Sequence, residues 1–146
     1  MMTSTFLIAN PNSVKTRSNG PALADIRLVI NGRDFPSHDW NDFVVVVLGW
    51  WAHALVRLLG NVGAKETVNF MDGPYAVEIV CASPEILRFH VRGGGLENEV
   101  GVGEALIGPF IQELIVQSRG VLDECKRQNW WSKDADILLS SLEALT

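Results

Sequence analysis

Cysteine is scarce in this 146-residue chain: Cys81 and Cys125 are the only two, too few for the disulfide framework of a small secreted domain. Basic residues are outnumbered twelve to seventeen by acidic ones, giving a net charge of −5, which argues against a protein that grips nucleic-acid phosphates. Histidine occurs at 38, 53 and 90 only, and none has a second ligand at metal spacing. The early apolar run Phe6-Leu7-Ile8-Ala9 has no basic flank and is too short for a signal peptide. Long apolar runs are missing too. The best membrane candidate, Phe43 to Leu59, carries His53 and Arg57 and falls short of the roughly 18 apolar residues a span requires. These absences predict a cytoplasmic protein with no membrane segment, no nucleic-acid partner, no metal and no cofactor.

What is present fits one α+β domain covering residues 1–146, with residues 1–25 peripheral and loosely packed. A 47% hydrophobic content is ample for a single core at this length. Residues 3–9 read as a strand. Ile26, Leu28 and Ile30 alternate with Asp25 and Arg27, and Asn31-Gly32 supplies the positive φ angles of a tight hairpin that lets Arg33-Asp34-Phe35 pair back. A helix is predicted from a cap at Ser37 or Asp39 to about Leu59, with Trp40, Phe43, Val47, Trp50, Trp51, Ala54 and Leu58 on its apolar stripe. Three strand-like runs follow, Lys65–Met71, Tyr75–Ala82 and Leu87–Arg92, with a further short strand at Val100 and Val102. A long helix takes Pro109 near its start or is kinked by it, and Ser132 or Asp134 caps a last helix. The expected architecture is an antiparallel meander sheet packed on one face by a long central helix and two C-terminal helices.

No motif carries chemistry on its own. Gly60 to Thr67 departs from a phosphate loop, because Ala64 separates Gly63 from Lys65 and a strand follows. Gly101-Val102-Gly103 lacks the third glycine and the parallel setting of a dinucleotide fingerprint, and reads as a strand-to-helix turn. Cys81 and Cys125 fall on apolar positions and read as core. Two charged sets stand out instead. Arg88, His90 and Arg92 share one strand face, with Glu78 opposite His90 if Ser83-Pro84-Glu85 is the turn. Glu97, Glu99 and Glu104 form a base-free acidic cluster beside Gly93-Gly94-Gly95. Residues 1–60 hold five basic and four acidic side chains, and residues 61–146 hold seven and thirteen. Asp123, Glu124, Asp134 and Asp136 add further negative charge near the last two helices. Trp130-Trp131 links those helices and reads as core packing or as an interface anchor.

The stretch from Ile30-Asn31-Gly32 through Trp40-Asn41-Asp42-Phe43 to Leu48-Gly49-Trp50-Trp51 resembles a group of small bacterial proteins. So do Asn69 to Tyr75, Cys125 to Trp131 and Asp136 to Leu142. These resemble the immunity proteins of bacterial toxin systems, contact-dependent growth inhibition and other polymorphic toxins among them. The likeness begins near residue 26. It implies a binding protein that neutralises one cognate toxin domain, basic and often a nuclease, by direct contact in the cytoplasm. It implies no catalytic residue and no cofactor. The partner-binding candidates are Glu97, Glu99 and Glu104, because an acidic surface suits a phosphate-gripping toxin, and Arg88, His90 and Arg92, whose shared strand face could take an anion or an acidic partner. The competing expectation is a small enzyme or ligand-binding protein with His38, Asp39, Asp42 or His53 at a pocket near the start of the central helix.

Overall fold

In the computed structural model, which describes residues 5–94 and 99–146, strand β2 (Leu23–Ile30) is the middle of a first antiparallel sheet. Strand β1 (Thr5–Ala9) pairs along one side, with Thr5 opposite Ile30 and Ala9 opposite Ile26. The other side is shared: β3 (Arg33–Phe35) pairs with Leu28–Ile30, and β4 (Asn41–Phe43) pairs with Leu23–Asp25. Asn31 and Gly32 have φ of 52° and 78°, the tight turn their dipeptide predicts. Residues 5–25 are better packed than expected. Leu7, Ala9, Val14, Ala22 and Ala24 are all buried in the core, because β1 lies between β2 and a C-terminal helix.

Helix α1 (Val44–Leu58) begins later than the predicted caps. Ser37 and Asp39 are exposed on the β3–β4 connection, and Asn41–Phe43 is drawn into the sheet by its pairing with β2. The helix has no side-chain cap. Its valines are weak helix formers, offset here by near-complete burial of Val44, Val45 and Val47. Trp51 is fully buried against Phe89 and Phe110, at ring-centroid distances of 6.2 and 5.8 Å. Trp50, expected beside it in the core, is 40% exposed. Successive helical residues are about 100° apart, so only one indole of the pair can face the sheet. Trp40 precedes the helix and is half-buried against Phe70 and Tyr75.

A second sheet is the predicted meander, β5 (Lys65–Asn69), β6 (Tyr75–Cys81), β7 (Ile86–Gly93) and β8 (Glu99–Leu106), in chain order. Gly101 and Gly103 lie within β8 and not in a turn. Gly103 marks where the sheets meet: a Cβ there would collide with Thr5 Oγ1 and Ile30. Helix α2 (Ile107–Arg127) follows with Pro109 in its first turn, and α3 (Lys133–Leu145) closes the chain. Asn129, at φ 57°, ends α2 in a Schellman arrangement: Asn129 N donates to Lys126 O and Trp130 N to Cys125 O. Ser132 caps α3 by accepting from Ala135 N. α2 also closes the free edge of β1, where Gln117 Oε1 accepts from Ala9 N and Gln117 Nε2 donates to Leu7 O, both at 2.5 Å. The class is α+β, with α1 running against α3 and β5. No helix among the described residues is long and apolar enough to cross a membrane.

Candidate functional site

Strand alternation puts Arg88, His90 and Arg92 on the solvent face of β7, and the register seats them among carboxylates. Glu78 lies opposite His90, as the turn at Ser83-Pro84-Glu85 predicts. Arg88 Nη2 donates to Glu104 Oε2 at 2.9 Å, His90 Nδ1 lies 2.7 Å from Glu99 Oε1, and Arg92 Nη2 lies 3.5 Å from Glu78 Oε1. The basic and acidic sets, separate in sequence, therefore converge into one cross-strand ladder. Its charges are matched in pairs, which leaves it a weaker attractant than Glu99 and Glu104 alone would be. Glu97 lies outside the described residues.

A second charged group surrounds Arg27, whose side chain is 12% exposed. Its guanidinium donates to Asp25 and, at 3.0 Å, to Asp34. Asp39 is 3.9 Å away, and His38 lies 3.2 Å from Asp34 and 3.4 Å from Asp39. The hydrogen bond to Asp25 raises the Arg27 pKa further, and the bond from Arg27 holds Asp34 below the usual carboxylate range, with His38 assisting. This group fastens the β3–β4 connection onto β2. Asp42 is buried and serves as a fourfold acceptor, from Trp40 Nε1 (2.9 Å), Phe43 N (2.7 Å), Met71 N (3.1 Å) and Asp72 N (3.2 Å). Its carboxylate ties β4 to the β5–β6 turn.

A crevice runs between α1 and α3, apart from a shallower recess of about 430 Å³ at Lys126, Asn129, Trp130 and Trp131. Two adjoining cavities of about 310 and 280 Å³ share Val45, Val46 and Asp134. The first reaches Phe43, Trp130 and Ser132, and the second reaches Gly49, Trp50, His53 and Ile137. Of the four residues expected at one pocket, only His53 lines this crevice; His38, Asp39 and Asp42 belong to the two fastenings above. Trp130 sends its indole N–H to Gly20 O at 3.0 Å, while Trp131 faces outward, bonded to Asp136 and with Lys126 Nζ 5.0 Å from its ring centre.

Cys81 and Cys125 are free and buried. Burial first, and the charge of Glu124 second, push the Cys125 thiol up to about 11, so it is no thiolate nucleophile at neutral pH. Among the described residues, no three His, Cys, Asp or Glu side chains converge as a metal site. Gly60 to Ala64 is a helix-to-strand loop, closed by Gly63 N donating to Cys81 O. Compared with known proteins, the chain matches no family model, no curated sequence and no solved structure.

Proposed function

We propose that this chain is a cytoplasmic binding protein that neutralises a cognate bacterial toxin, a basic nuclease domain, by direct protein–protein contact. One contrast carries the reading. His38, Asp39 and Asp42 are taken up in internal contacts, whereas Trp50 and Ile137, at 40% and 51% exposure, gather with His53 beside Asp134 at an open crevice. Half-exposed aromatic and aliphatic side chains around a recess are what a protein partner buries. The net charge of −5 favours a basic partner, and complementary charge acts mainly on association rate. The resemblance to immunity proteins points the same way.

The test is to express the chain with the C-terminal domain of any large secreted protein encoded by the preceding reading frame. Rescue of growth is expected, with direct binding whose association slows as salt is added. A toxin that kills equally with and without this chain would sink the reading. A second reading, a small-ligand or enzyme pocket, is favoured by the position of the 310 Å³ cavity at the start of α1. A volume near the lower end of ligand sites suits only a small molecule.

A further inference from the structure

We propose that the crevice between α1 and α3 receives the apolar face of a short amphipathic helix from a protein partner, with a lysine or arginine of that helix reaching Asp134. This deepens the binding-protein reading and rests on it. Gly49 supplies the first observation. It sits in the middle of α1 without a positive φ, and a Cβ built there meets no heavy atom within 4 Å beyond its chain neighbours and the local helix backbone. Neither backbone conformation nor packing calls for glycine, and alanine would make a better helix. What the glycine does is keep the crevice floor at backbone level.

The walls give the second observation. Val46, Trp50 and His53 follow at i, i+4 and i+7 on one stripe of α1, and Ile137 faces them from α3. That stripe runs about 10 Å, matching two turns of an incoming helix. Charge gives the third. Asp134 is exposed, lines both cavities, and makes no ion pair among the described residues. No lysine or arginine lines either cavity. An apolar trough with one unmatched carboxylate is complementary to an apolar helix face with one cation.

Two probes test this. In the first, displayed peptides of about four helical turns are panned on the wild-type chain, and one winner is synthesised for titration. Winners are expected to carry apolar residues at helical spacing with a basic residue beside them. Gly49→Leu, which fills the floor, and Asp134→Lys should each weaken that peptide at least about tenfold, and Arg119→Ala, at an exposed position of α2, should not. Gly49→Ala should raise the thermal midpoint, showing that the glycine is dispensable to the fold. Asp134→Lys changes an exposed side chain, so it decides the matter even if Gly49→Leu folds poorly. Winners without that pattern, or a winner bound equally by both variants, would overturn the proposal. So would a wild-type dimer that Gly49→Leu dissociates, which would give the crevice to a second copy. The second probe is the neighbouring toxin domain. Equal binding to wild type and to both variants overturns the surface and leaves the function standing. Failure to bind wild type overturns the function, and the peptide titration then decides the crevice alone.

Discussion

Trp50 and Trp51 are adjacent in sequence, yet one is half in solvent and the other fully enclosed by Phe89 and Phe110. Trp51→Ala should therefore cost about 3–5 kcal/mol, against about 1 kcal/mol or less for Trp50→Ala, read from chemical denaturation. Trp51→Phe should be far milder than Trp51→Ala, because the Trp51 indole N–H has no acceptor and its removal takes away an unmatched donor. Equal losses at 50 and 51 would refute this orientation of α1. Helical spacing read from the sequence puts both indoles on one apolar stripe, whereas the 100° step between neighbours turns them apart. Trp51 is the one that turns inward, onto Phe89 and Phe110, which lie far along the chain. Asp42 is similar. Its sequence position offers it as a polar group at a pocket near the start of the central helix, but two of its donors, Met71 N and Asp72 N, come from a distant turn.

At the level of elements, the C-terminal end of α2 has a pH signature. Arg127 bonds Glu124 and, with help from Gln128, pulls its carboxyl from the ordinary 4.5 down to about 2. Gln128 also donates to Val14 O and accepts from Thr16 Oγ1, so this helix end anchors the β1–β2 connection. A depressed carboxyl stabilises the fold fully above the unfolded value and loses that contribution as pH falls through the folded one. Wild type should thus lose stability between about pH 4.5 and 2 more steeply than Glu124→Gln. Thermal midpoints of both proteins across that range check it, and parallel curves would count against the pairing. Element types and order are largely legible from alternation and turn residues. The start of α1 is not, because β4 forms only through pairing with Leu23–Asp25, and local spacing carries no trace of a distant partner. Of the charge ladder, Glu78 opposite His90 is legible once the turn at Ser83-Pro84-Glu85 sets the register; the pairing of Glu99 and Glu104 with His90 and Arg88 needs β8 to run through Gly101–Gly103, and the crevice needs α3 laid against α1.

For the molecule as a whole, the junction of the two sheets rests on the bare backbone of Gly103 against Thr5 and Ile30. Gly103→Ala should destabilise by about 1–3 kcal/mol, and Gly108→Ala, where a Cβ meets nothing within 4 Å, should not. Denaturation of the two variants side by side checks the contrast. The split into two sheets is illegible in sequence, because a meander and a pair of sheets share the same local alternation. The amide of Gln117 has a consequence of another kind. It bonds the outer edge of β1 in the way a neighbouring strand would, on a strand that also shows Phe6 at 40% exposure. Without it, that edge would offer an open donor and acceptor beside an aromatic ring, a template for stacking one molecule on the next. Gln117→Leu should accordingly form aggregates with concentration, seen by light scattering, at levels where wild type stays dispersed. One side chain of α2 thus guards against uncontrolled polymerisation.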